Sequence, residues 1–137
     1  MQVKFTILGE PKGKGRPRFS RKTGTAITPK DTVNYETLVH MEYLEQCNGF
    51  RFEDDAMLDL RIKAYYSIPK SASKKKKAAM LAGEIRPTKK PDMDNVVKTI
   101  ADSLNQVAYR DDTQIVDQQC RKFYSENPRV EVSIKNV

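Results

Sequence analysis

The chain has 137 residues and sets 25 lysines and arginines against 18 aspartates and glutamates, for a formal net charge of +7. This length suits one domain with a true core, and the cationic excess favours a polyanionic partner, nucleic acid ahead of an anionic membrane surface. Two cysteines without CxxC spacing and a single histidine argue against a zinc site or a disulfide framework, and no apolar run approaches membrane-spanning length.

The expectation is a soluble, cytoplasmic protein with two free, buried thiols, Cys47 and Cys120, and no membrane contact. Met1 to Leu8 alternates Val3, Phe5 and Ile7 with Gln2, Lys4 and Thr6, the period-2 pattern of a half-buried strand. Glycine and proline then punctuate Gly9 to Arg18 too densely for regular structure. From Pro11 to Lys30 there is no acidic residue, while Lys12, Lys14, Arg16, Arg18, Arg21 and Lys22 accumulate around one aromatic, Phe19. This reads as a flexible basic arm, kept extended as far as Thr28 by Pro29.

A helix start falls at Asp31 or Thr32, and Val33, Tyr35, Leu38, Val39, Met41, Leu44 and Cys47 recur at helical spacing before Gly49 stops it. Met57 to Tyr66 describes a long strand closed by Pro69. Ser71 to Leu81 reads as a short helix, capped by Ser71 or Ser73 and ended by Gly83. It carries Lys74, Lys75, Lys76 and Lys77, either a solvated face or a phosphate contact. A further helix is expected from about Asn95 to Val107, with Val97, Ile100, Leu104 and Val107 on its packing face. Strands follow at Thr113–Tyr124 and Val130–Ile134, joined by an Asn127-Pro128 turn.

The chemistry concentrates in Lys90-Pro91-Asp92-Met93-Asp94-Asn95-Val96-Val97-Lys98 and in Asp111-Asp112. Asp92 and Asp94 exceed what one helix cap requires, and their repulsion calls for a cation or a nearby base. Asp94, Lys98 and Asp102 follow at i, i+4, i+8, off the packing face. Lys98 paired with Asp94 or Asp102 across one turn is the structural alternative, worth only ~0.3 kcal/mol. Asp111-Asp112 has its own alternative as a polar turn between helix and strand. On the chemical reading, Asp92, Asp94 and Asp112 hold magnesium against a phosphodiester, since this hard cation takes few carboxylates and fills its shell with water and phosphate oxygens. Lys98 then neutralises charge growing at the phosphate or orients the attacking water. Asn95 is read as a holder of a carboxylate or phosphate oxygen, with capping and surface roles as alternatives.

Together these residues resemble the RusA family of Holliday-junction resolvases. The likeness rests on K-P-D-x-D-N-x-x-K, on Ala101-Asp102-Ser103-Leu104, and on Asp111-Asp112-Thr113-Gln114-Ile115-Val116-Asp117. It is close over the central third of the chain, and the Gly-Lys-Gly-Arg-Pro-Arg arm and order of elements extend it over nearly the whole length. The resemblance implies a homodimeric, magnesium-dependent endonuclease of bacteria and phages, with manganese as a substitute metal. It would nick four-way junctions symmetrically and leave 5′-phosphate and 3′-hydroxyl ends. Asp92, Asp94 and Asp112 match the family's catalytic carboxylates, and Lys98 its catalytic lysine. Asp111 is expected to point away from the site.

The expected fold is α+β: one domain with a mixed or antiparallel sheet of about four strands and two main helices packed on it. The expected DNA contacts are Lys12, Lys14, Arg16, Arg18, Arg21, Lys22 and Lys74 to Lys77, with Phe19 as a wedge at the junction centre. The rival readings are a general flap or fork nuclease and a non-catalytic DNA-binding accessory protein.

Overall fold

The computed structural model describes residues 1–14 and 34–137 in full, and the backbone alone at 18–19, 26–27 and 30–33. Its elements are β1 (Gln2–Leu8), β2 (Arg18–Phe19), β3 (Ala26–Ile27), α1 (Lys30–Gln46), β4 (Leu58–Ser67), α2 (Lys74–Leu81), α3 (Met93–Ser103), β5 (Ile115–Ser125) and β6 (Arg129–Asn136). Strands order as β1-β6-β4-β5 in one sheet, and β2 pairs with β3 in a small ribbon within the arm. Only the β4–β5 pair is parallel, so α2 and α3 belong to the crossover between these two strands. The expected α+β fold with a four-stranded mixed sheet is the one observed.

Alternation dictates which face is covered. Val3, Phe5 and Ile7 of β1 register with Ile134, Val132 and Val130 of β6. With Leu58, Leu60, Ile62, Ala64 and Tyr66 of β4 they form one buried layer. Tyr35, Val39 and Tyr43 of α1 and Val96, Ile100 and Leu104 near α3 close over it. Tyr43 meets Phe5 edge to face at 5.3 Å, and its hydroxyl donates to the Phe50 carbonyl at 2.5 Å. The opposite face of the sheet presents Gln2, Lys4, Thr6, Arg61, Lys63, Gln119, Arg121, Glu131 and Ser133 along one open trough.

Several expectations are corrected. Leu38, Met41 and Leu44, counted in the apolar repeat of α1, are exposed, because Tyr35, Val39 and Tyr43 at i, i+4, i+8 already fill the seam. The Val33 side chain lies outside the described residues. The Asp-rich helix begins at Met93 and ends at Ser103, because Tyr109 donates its hydroxyl to the Ala101 carbonyl at 2.6 Å and the chain turns under itself. Cys47 and Cys120 are half-buried, not buried, and burial pushes the Cys120 thiol up to about 11. Residues 105–114 form tight turns, including a 3-10 turn at Asp112–Gln114, where β5 was expected to have begun. Among the described residues no helix is long and apolar enough to cross a membrane.

Candidate active site

The start of α3 is fixed from below. Tyr66, buried near the end of β4, donates its hydroxyl to the Pro91 carbonyl at 2.5 Å and delivers the chain to Asp92. Asp92 takes the N-cap position, yet its carboxylate makes no capping hydrogen bond. Asp94 stands in the first turn, where the helix dipole favours a negative charge. Buried Thr99 and Ser103 direct their hydroxyls back to the Asn95 and Thr99 carbonyls at 2.7 and 2.6 Å. Their polar atoms are thereby satisfied on the packing side, and Asp94, Lys98 and Asp102 remain on the open side.

That open side forms one wall of a shallow cleft, lined by Asp94, Val97, Lys98, Ala101, Asp102, Asp112, Ile115 and Gln118. Asp94 and Asp102 are separated by about 12 Å along the helix axis, at ~1.5 Å per residue. The opposite wall is the start of β5. There the two neighbouring aspartates take different roles. Asp111 caps the 3-10 turn, accepting from the Thr113 amide at 3.2 Å, while the Gln114 side chain reaches back to the Asp111 amide in a capping box. Hydrogen bonds from Thr113 hold the Asp111 carboxyl below its usual range. Asp112 instead anchors only its backbone, the amide donating to Asn105 Oδ1 at 2.8 Å, and turns its carboxylate into the cleft. Burial raises the proton affinity of Asp112, and the charges of Asp111 and Asp102 raise it further. Asp102 is also within hydrogen-bonding reach of it.

Lys14 enters from the arm. Its ammonium lies 3.1 Å from Asp102 Oδ2 and 3.9 Å from Glu36 Oε1. Lys98 makes no ion pair among the described residues, so the structural alternative of a one-turn pair with Asp94 or Asp102 is not what the molecule shows; Asp102 pairs with Lys14. The Asn95 amide pairs with the backbone of Lys14.

Of the residues singled out in the sequence, Asp94, Lys98 and Asp112 therefore share the cleft, and Asp92 lies just outside its lining at the helix start. Lys14 stands at the cleft rim, and Lys12 is exposed beside Asn34 and Leu38 of α1. The side chains of Arg16, Arg18, Phe19, Arg21 and Lys22 lie outside the described residues. Lys74 to Lys77 are exposed on α2, which packs at the far end of β5, Lys77 pairing with Glu126 at 3.0 Å. Ten strand steps of ~3.3 Å put that end roughly 30 Å from Ile115. Asp102 and, on β5, Gln118 are the polar cleft residues that sequence reasoning left out of the site, Asp102 being the charged one. Its spacing with Asp94 and Lys98 was visible, but its partner across the cleft was not.

The sequence matches the family described as endodeoxyribonuclease RusA over residues 9–135. The chain belongs to the RusA endodeoxyribonuclease family. It is also 41% identical over 139 residues to the uncharacterized protein YqaN of Bacillus subtilis (strain 168), a match that spans 98% of this chain and 96% of that protein. RusA-family membership makes DNA phosphodiesters the class of bond that the cleft must be judged against.

Nucleases of the RusA family generally use a divalent metal ion. Among the described residues no group of three or more His, Cys, Asp or Glu side chains converges as ligands. Magnesium asks for less, one or two carboxylates with water and substrate oxygens completing its shell. The facing Asp102 and Asp112 supply that number, and the charge conflict at Asp112 is what a cation between them relieves. The donor set fits.

Proposed function

We propose that this RusA-family chain is a magnesium-dependent endonuclease that resolves four-way DNA junctions by paired nicks, acting as a homodimer. The observation that carries the reading is the apposition of Asp112 and Asp102 across an open cleft beside Lys98, at the root of a basic arm. Among the cleft carboxylates Lys14 offsets Asp102 alone, at 3.1 Å, and Asp112 has no ion pair among the described residues. Here Lys98 is left facing the solvent side of the cleft, where a phosphate can reach it.

In this reading Asp112 and the facing Asp102 would hold the cation, with Asp94 and Asp92 towards the helix start available to bind its water shell or a second ion. Magnesium bound there, or manganese in its place, polarises the scissile phosphate and lowers the pKa of the attacking water. Lys98 stabilises the negative charge that grows on the phosphoryl oxygens. Water adds to phosphorus as the P–O3′ bond breaks, leaving a 5′-phosphate and a 3′-hydroxyl. Two-fold symmetry suits the substrate, because a junction offers paired strands and a dimer presents one cleft to each. Lys12, Lys14 and the cations of the arm, Arg16, Arg18, Arg21 and Lys22, contribute phosphate contacts that position without reading sequence.

The test is a mobile four-way junction incubated with the protein, with and without magnesium, and cuts mapped on all four strands. Paired symmetrical nicks that require the metal are the expected result. Cuts on flaps or forks but not on junctions move the assignment to a general branched-DNA nuclease, and binding without any cut moves it to an accessory DNA-binding protein.

A further inference from the structure

The first residues of the basic arm are held against α3 by a contact that neither capping nor core packing requires. Asn95 Oδ1 accepts from the Lys14 amide at 2.9 Å, and Asn95 Nδ2 donates to the Lys14 carbonyl at 3.3 Å. One side-chain amide thus satisfies both backbone groups of one arm residue. The preceding position has no room for a side chain: a Cβ on Gly13 would stand 2.2 Å from Asn95 Nδ2, 2.8 Å from its Cγ and 3.0 Å from Pro91 Cβ. The glycine is required by this close approach. The Lys14 side chain then runs along α3 to Asp102. The backbone contact at Asn95 and the ammonium contact at Asp102 are seven residues apart, about 10 Å along the helix. Lys14 therefore lies lengthwise over the polar edge of α3, clipped at both ends, with Glu36 of α1 on its other side.

We propose that Gly13 and Asn95 are positioning residues that lock the root of the arm onto the catalytic helix through Lys14. A DNA strand gripped by the arm is then held in register with the cleft. The inference rests on the nuclease reading above and adds a role for residues outside its chemistry. The Gly13 and Asn95 contacts supply no charge to the reaction, and the Lys14 ammonium enters it only through Asp102. It fixes where the arm begins, and a displacement of about 1 Å at such a point can cost up to ~100-fold in rate. Lys14, a general phosphate contact by its charge alone, becomes the joint between arm and cleft.

Four single variants and one double variant test this with the full-length protein. Asn95→Ala and Gly13→Ala should each lower kcat on a four-way junction by about tenfold while the junction Kd changes much less. Because the Gly13→Ala defect is a clash with the Asn95 amide, it should largely vanish in the Asn95→Ala background, a non-additivity read from a double-mutant cycle. Lys14→Arg should retain turnover and Lys14→Met lose it. Limited trypsin digestion of the DNA-free protein gives a readout independent of cleavage: cutting after Lys14 should speed up in Asn95→Ala and Gly13→Ala at unchanged melting temperature. If the wild type makes no nicks, the nuclease reading fails, and the trypsin and non-additivity measurements, the latter then made on digestion rates, still decide the lock. Full additivity of Gly13→Ala and Asn95→Ala, or unchanged trypsin sensitivity, overturns the lock even where the wild type resolves junctions normally.

Discussion

The two ends of β5 treat their charges in opposite ways. At the far end, near Ser125, the cations closest to the strand have partners within the chain. Lys77 pairs with Glu126 at 3.0 Å and Arg129 with Glu131 at 2.9 Å. Across the sheet, Arg129 lies 3.9 Å over Tyr65, Tyr65 stacks on Phe123 at 5.5 Å, and Arg86 covers Phe123 at 4.5 Å. At the near end, Asp112 faces Asp102 and stands next to Asp111, its proton affinity is raised, and Lys98 has no ionic partner among the described residues. The far end ties the charges beside the strand within the chain, whereas at the near end Lys14 offsets Asp102 and leaves Asp112 and Lys98 without an ion pair among the described residues. Groups held in conflict inside a cleft are candidates for chemistry, because folding alone gains nothing from keeping them there.

The sharpest way to break that comparison is at Asp112. Asp112→Asn should reduce junction cleavage by about 10³-fold, the upper end for one preorganised electrostatic group, while gel-shift affinity for the junction in calcium or without metal is retained. The same change removes one of two facing charges, so thermal melting of the metal-free protein should hold or rise. Asp111→Asn, one residue away, should do neither, since asparagine caps as well as aspartate. Equal cleavage loss in both variants would show that the turn matters and the cleft carboxylate does not. Lys98→Ala comes next, with about 10²-fold slower cleavage and no loss of stability, because no ion pair among the described residues is broken. A drop in melting temperature without a cleavage defect would return Lys98 to a structural role.

Much of this contrast was legible in the sequence, for reasons that can be assigned to particular residues. The sheet was readable because Val3, Phe5, Ile7 and the Met57–Tyr66 run alternate cleanly. The separation of duties on α3 was readable because Ile100 and Leu104 fall on one face while Asp94, Lys98 and Asp102 fall on another. Helix limits were less readable: Val107 continues the apolar period of α3, but Tyr109 caps the Ala101 carbonyl and ends the helix four residues earlier. Pairings across long sequence separations were out of reach. Asp102 meets Asp112 only because the 105–114 turns fold back, and Asn95 meets Lys14 across 81 positions. Charge counting also gave Lys14 and Lys74 to Lys77 the same rank. The fold separates them by placing the first on α3 and the others at the opposite end of β5.

That last separation yields the smallest and most discriminating expectation. Replacing Lys74, Lys75, Lys76 and Lys77 with alanine keeps a helix-favouring residue at each position and keeps the Ser73 cap, whose side chain accepts from the backbone of residue 76. The helix should therefore survive. Each lysine that touches a phosphate adds about 0.9 to the slope of log affinity against log salt. Lys77 is tied to Glu126, and the other three are exposed, so the slope should fall by roughly 1 to 3. Cleavage at saturating junction should stay within about twofold, since the helix lies roughly 30 Å along the strand from the cleft. An unchanged slope would make this lysine run a solvated face and leave the arm as the basic region that meets DNA. A large fall in turnover at saturation would instead mean that substrate spans both ends of β5, and the division between a resolved end and a reactive one would no longer hold.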